Sequence, residues 1–334
     1  MDLDLPLLWA GIIAFGVLMY VVLDGFDLGI GLLFPLLPDR RSRDVMMNSV
    51  APVWDGNETW LVLGGAGLFG AFPLAYAVIL PALYLPLTLM LVGLIFRGVA
   101  FEFRFKASDR RRHWWDLAFA SGSALAALMQ GVALGAFIQG FAVEGRGYAG
   151  GPFDWLTPFA LFVGVSLALG YALLGAGWLV MKTEGELQQR VWRLLWPLTF
   201  LVLAAIGGVS LWTPFLDEAI YQRWFAWPNL LYLSPVPILV GLLALLLLNA
   251  ERRRRERLPF FLTLGLFTLA YAGLAISLWP NVIPPDIDIW EAAAPEESQG
   301  FLIVGVAPMV VVILAYTAYS YWVFRGKVGH EGYH

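Results

Sequence analysis

The 334-residue chain contains no cysteine. That excludes disulfides, cysteine-ligated iron–sulfur clusters, thiolate zinc sites and c-type haem attachment. It has only three histidines, His113, His330 and His334. None lies in an apolar run, so no span offers the buried imidazole that an intramembrane b-type haem generally takes as a ligand. Charge is scarce as well, at 14% of residues against 60% hydrophobic. Soluble domains carry roughly 25% charged residues. So few charges cannot cover a water-soluble globule of this size, which argues against a soluble enzyme, a nucleic-acid binder or a disordered protein. No Walker loop or dinucleotide fingerprint is present, and the glycine pairs fall inside apolar runs rather than after a strand. The start, Met1-Asp2-Leu3-Asp4, lacks the basic segment of a cleaved signal peptide. The first apolar run is therefore expected to be a retained span.

What the chain has is long apolar runs. A spanning helix needs about 20 mostly apolar residues. Nine runs qualify, at 6–36, 51–72, 76–103, 114–140, 156–181, 192–214, 230–249, 259–279 and 301–324. The second is the least clean, because Asp55, Asn57 and Glu58 stand in its first turn. The expected architecture is one all-α polytopic membrane domain over 1–334. Of the 21 Lys and Arg residues, 18 fall in alternate loops and the tail after the ninth run. Arg146 and Arg223 fall on the other side, and Arg97 lies within the third run. The positive-inside rule then places the N-terminus outside and the C-terminus in the cytoplasm. The stretch from Glu251 to Arg257 reads as a basic loop in contact with anionic lipid, not as nucleic-acid recognition. Tryptophans and tyrosines gather near span ends as an interfacial belt. Prolines 81, 86, 197 and 308 fall inside spans. Gly25/Gly29 and Gly131/Gly135 have the small-xxx-small spacing that permits close helix contact.

Ionisable residues inside spans are costly, roughly 2.5–3.5 kcal/mol each on insertion scales, and so are functional candidates. Six stand out: Asp24, Asp27, Asp55, Glu58, Arg97 and Glu102. Asp24/Asp27 and Asp55/Glu58 are each three apart, hence on one helix face. Topology puts all six in the cytoplasmic half of three consecutive helices. Carboxyl groups gathered there suggest a proton or cation funnel, with Arg97 and Glu102 as electrostatic partners. The plainer reading is a wet interface or a structural ion pair. Met19, Met90, Met129 and Met309 are intramembrane but read as packing, so a metal or redox cofactor held by this chain alone is not expected.

The segments Leu23-Asp24-Gly25-Phe26-Asp27-Leu28-Gly29 and Trp54-Asp55-Gly56-Asn57-Glu58 resemble subunit II of the cytochrome bd-type quinol oxidases. So do Phe96-Arg97-Gly98-Val99-Ala100-Phe101-Glu102 and Tyr316-Thr317-Ala318-Tyr319-Ser320-Tyr321-Trp322. The resemblance covers nearly the whole chain. It implies two four-helix bundles plus a peripheral ninth helix, in a multi-pass protein of the bacterial cytoplasmic (inner) membrane. It implies an oxidase that couples quinol oxidation to reduction of dioxygen to water and generates a proton gradient. Haem b and haem d, or a further haem b, belong to partner subunit I, and a small single-helix subunit and membrane lipids are further partners. Asp55 is the residue associated with proton uptake, with Glu58, Asp24 and Asp27 as relay or charge-tuning neighbours. Gly98 departs from members that carry proline there, and the short outer loops suggest the cyanide-insensitive branch. Two other readings stay open: a proton- or sodium-coupled transporter, and a purely structural membrane subunit.

Overall fold

A computed structural model describes residues 4–328; His330 and His334 lie outside the described residues. The chain is almost entirely helical. α1 spans Leu5–Leu33, with Asp4 accepting the Leu7 N–H as its N-cap. A 3-10 turn, Phe34–Leu36, continues it. The short α2, Arg40–Asn48, is capped by Asp39 and leads into α3, Trp54–Ala71. α4 (Pro73–Ala82) and α5 (Tyr84–Arg104) follow. Then come α6 (Asp109–Gln139), α7 (Pro158–Lys182) and α8 (Gly185–Trp212). Two short helices, α9 (Glu218–Phe225) and α10 (Asn229–Leu233), precede α11 (Pro235–Arg252), α12 (Leu258–Leu278) and α13 (Glu296–Val323). The strands are two small antiparallel hairpins in the α6–α7 and α12–α13 connections.

Among the described residues, eight helices are long and apolar enough to cross a membrane. Eight of the nine expected runs coincide with them. The second run is a helix too, α3, but its 18 residues open with Asp55, Asn57 and Glu58 and fall short of that standard. The third run is interrupted at Leu83, which separates α4 from α5. Pro81 and Pro86 flank the break, where missing N–H donors weaken the helical ladder. Pro197 and Pro308 lie inside continuous helices. The basic loop expected from Glu251 begins later: Glu251 and Arg252 belong to α11, and Glu251 is buried.

α1, α3, α5 and α6 form one four-helix group, and α7, α8, α11 and α12 form a second. α13 leans on α1 and α3 from outside, with Gln299 its one buried residue. The groups dock through α1–α7 and α6–α7. Lipid is as apolar as leucine, so helices associate by close packing and polar contacts rather than by escape from water. Both small-residue pairs mark such contacts. A Cβ on Gly29 would stand 1.8 Å from the Tyr171 carbonyl oxygen. One on Gly135 would stand 2.6 Å from the Ala160 Cα. Phe26 fills the seam beside them, stacked on Trp178 with ring centroids 4.3 Å apart.

Candidate functional site

Three helices bring the ionisable residues together. Asp24 and Asp27 occupy one face of α1, Glu58 the second turn of α3, and Arg97 the C-terminal half of α5. The Arg97 side chain is wholly buried. Its Nη1 donates to Asp24 Oδ1 at 2.5 Å and its Nη2 to Glu58 Oε2 at 2.8 Å. The Trp54 ring lies 6.0 Å from the guanidinium carbon. Asp27, one turn further along α1, is also fully buried. Its Oδ2 accepts from Asn57 Nδ2 at 2.8 Å, and Asn57 Oδ1 accepts from the Tyr321 hydroxyl at 2.9 Å. Tyr321 thereby ties α13 to the cluster.

The arrangement is unbalanced. Asp24, Asp27 and Glu58 surround one guanidinium, so full ionisation leaves two negative charges without a cation in a low-dielectric setting. Asp24 Oδ2, Asp27 Oδ1 and Arg97 Nε are buried without a hydrogen-bond partner. Glu58 retains 29% side-chain exposure, whereas Asp24 has none. Asp55 is exposed on the first turn of α3, where its negative charge faces the positive end of the helix dipole. The order Asp55, Glu58, Asp24, Asp27 therefore runs from exposed to buried.

Glu102 does not join this set. It is 64% exposed and pairs with Lys106, just past the end of α5, at 3.6 Å.

Several members are not among the six ionisable residues that stand out in the sequence. Asn57 and Tyr321 are neutral, and Tyr321 resembles an interfacial aromatic. Gln130 is another: its Nε2 donates to the Tyr20 hydroxyl at 2.7 Å, and its Oε1 accepts from the Tyr171 hydroxyl at 2.8 Å. Arg104, which sequence position assigned to the inner loop, is fully buried. It donates to Asp44 and Asp116 at 2.5 Å each, and Arg43 completes the group on Asp116 at 2.8 Å. Two guanidinium groups and two carboxylates balance there, which marks a structural clamp between α2, α5 and α6.

Among the described residues the donor set does not fit a haem. Met90 and Met129 are packed into the apolar core, Met309 faces outward on α13, and His113 stands in the second turn of α6 against Trp114. Among the described residues, no group of three or more His, Cys, Asp or Glu side chains could hold a metal ion.

Residues 5–324 match the family model described as Cytochrome bd terminal oxidase subunit II. The chain belongs to that family. It is similar to the cytochrome bd-I ubiquinol oxidase subunit 2 of Escherichia coli, 32% identical over 95% of this chain and 93% of that one. It is 25% identical to the cytochrome bd ubiquinol oxidase subunit 2 of Bacillus subtilis, over 97% of both. In fold it matches a chain of the bd oxidase from Geobacillus thermodenitrificans, with a TM-score of 0.77 at 18% identity, covering 96% of this chain and 99% of that one. This member of the subunit II family is thus an all-α, multi-pass protein of the bacterial inner membrane and part of a multi-subunit bd-type oxidase.

Proposed function

We propose that this chain is the haem-free subunit of the oxidase, that it supports assembly of the haem-bearing partner, and that it forms part of the proton uptake path from the cytoplasm. The partner, subunit I, carries haem b together with haem d or a further haem b, and those groups supply the transfer of electrons from quinol to dioxygen. This chain's residues hold and move protons. The N-terminus lies outside and the C-terminus in the cytoplasm, which puts Asp55 at the inner mouth.

The observation that carries the reading is the excess of carboxyl groups over cations around Arg97. A buried set with surplus acid takes up and releases a proton with less cost than a balanced pair, because one protonation state always relieves uncompensated charge. Asp55 meets water first, Glu58 connects it to the buried groups, and Arg97 fixes their positions. Protons consumed in forming water enter from inside, while those of quinol leave outside, which generates the gradient.

A purely structural role is the second reading, favoured by the two ion pairs of Arg97. Asp55→Asn separates the two. Intact assembly and haem content with strongly reduced oxygen consumption supports proton uptake. Full turnover in that variant overturns it. Purification supplies an independent check: a tagged chain that emerges alone and colourless, without a haem-bearing partner, overturns the assembly role.

A further inference from the structure

The end of the second helix group opposite the Arg252–Arg257 loop carries a broad groove of about 830 Å³ between α9, α10 and the C-terminal end of α12. Pockets for lipid- or drug-sized molecules run at roughly 300–1,000 Å³. Its floor is apolar, with Leu233, Ala275 and Ile276. Arg223, one of the two basic residues assigned to the outer side, stands in its wall. Structure accounts for the position of Arg223. Its Nη1 donates to the carbonyls of Ile276 and Trp279 at the end of α12. The Ile276 carbonyl has no helical donor, because the residue four further on is Pro280.

Structure does not account for its charge. Among the described residues no carboxylate forms an ion pair with Arg223. The acids on the same segment are otherwise engaged: Glu218 accepts from Gln222 Nε2 at 2.5 Å, and Asp217 caps the Ala219 N–H at 2.8 Å. Asn229 and Tyr232 bring an amide and a hydroxyl to the same groove. Trp224, bonded to Ser277 Oγ at 2.8 Å, and the exposed Trp227 set the depth at the aromatic belt, where lipid headgroups lie. A cation with carbonyl contacts but no carboxylate partner among the described residues, neutral donors around it and an apolar floor below suit a phosphodiester with acyl chains.

We infer that this groove holds an anionic phospholipid, with its phosphate on Arg223 and its glycerol oxygens within reach of Asn229 and Tyr232. Assignment to the outer leaflet rests on the orientation proposed above. Binding itself does not, because it can be measured in detergent, where there is no leaflet.

The test uses the intact oxidase complex, delipidated in detergent and titrated with phosphatidylglycerol or phosphatidylcholine, bound lipid being read by native mass spectrometry. Phosphatidylglycerol carrying brominated chains adds a second readout, quenching of tryptophan fluorescence. One basic side chain near a membrane surface is worth ~1 kcal/mol towards anionic lipid, which is about a fivefold preference. The wild type is expected to prefer phosphatidylglycerol about fivefold at one site. Arg223→Gln should abolish that preference, and Arg223→Lys should keep most of it. Ala275→Phe, at an exposed position on the floor, should weaken binding of both lipids while leaving the cation and its carbonyl contacts in place. Equal affinity of the wild type for the two lipids overturns the inference, as does an unchanged preference in Arg223→Gln. Displacement of the brominated lipid by a short-chain quinone at equal concentration overturns it too, because the groove would then belong to a different ligand.

Discussion

Arg97→Met should be the most damaging single change in the first helix group. The guanidinium is fully buried and anchors Asp24 and Glu58, from two other helices, at 2.5 and 2.8 Å. Its removal strands both carboxyl groups. Breaking one side of a buried ion pair costs about 3–5 kcal/mol, whereas an ordinary interhelical hydrogen bond inside a membrane averages about 0.6 kcal/mol. The two magnitudes are far enough apart to decide the matter. The assay is the midpoint of SDS-induced unfolding of the purified complex, measured for Arg97→Met, Asp24→Asn and the double variant. The single Arg97 variant should lose about 3 kcal/mol or more. Asp24→Asn should rescue part of that loss, because it removes one of the stranded charges, giving a coupling of about 2 kcal/mol. An Arg97→Met loss below about 1 kcal/mol, or strictly additive losses, would refute the claim that this ion pair organises the site.

The other expectations are simpler. Gly29→Ala places a methyl 1.8 Å from the Tyr171 carbonyl, a backbone atom that cannot swing aside, so α1 and α7 must part. It should lower stability by about 1–3 kcal/mol in the same unfolding assay, while Gly11→Ala, which meets nothing, should be neutral or better. On the tail side, Lys327 Nζ donates to Glu256 at 2.7 Å and the Val328 N–H to the Lys182 carbonyl. The hydrogen bond from Lys327 holds the Glu256 carboxyl below its ordinary range. A depressed acid contributes fully above its unfolded value of about 4.3, and that contribution is lost as pH falls through the lower folded value. Exchange protection of the Val328 amide, corrected for intrinsic rate, should therefore be constant from pH 7 to 5 and fall below pH 4.

Much of the fold is legible because its signal is local. Apolar run length located eight of the long helices, and the spacing of Gly25/Gly29 and Gly131/Gly135 foretold where backbones touch. Pro81 and Pro86 fall inside the third run, but nothing in that run showed that the helix would break at Leu83. The pairings were not legible. Arg104 sits at the end of an apolar run, among residues that face water; only the return of α2 and α6 brings Asp44 and Asp116 to it. Glu251 stands before five arginines and reads as part of their loop, yet α11 extends far enough to bury it against Thr199. Spacing on one helix grouped Asp24 with Asp27, but it could not say that Arg97 takes Asp24 and leaves Asp27 to Asn57. Glu102 shows the converse: five residues beyond Arg97 in sequence, it points to a different side of α5 and meets Lys106 instead.

Asn57 then carries more weight than its neutral side chain suggests. It is the group that keeps Asp27 from having no partner, since Asp27 Oδ1 has none already and Oδ2 accepts from Asn57. It also accepts from Tyr321, one of few polar ties between α13 and the helices beneath, together with the Trp9 indole bonded to the Gln299 carbonyl at 3.2 Å. Asn57→Ala cuts both links and leaves a buried carboxyl group bare, a loss of about 2–3 kcal/mol when a hydrogen bond to an ionisable partner goes. Tyr321→Phe removes one donor and leaves the Asn57–Asp27 bond intact, a loss of about 1 kcal/mol. Because both act through Asn57, the double variant should unfold close to Asn57→Ala alone rather than at the sum. If Tyr321→Phe costs as much as Asn57→Ala, or if the two losses add, then Asp27 is not held through Asn57 and α13 is coupled to the acidic cluster by some other contact.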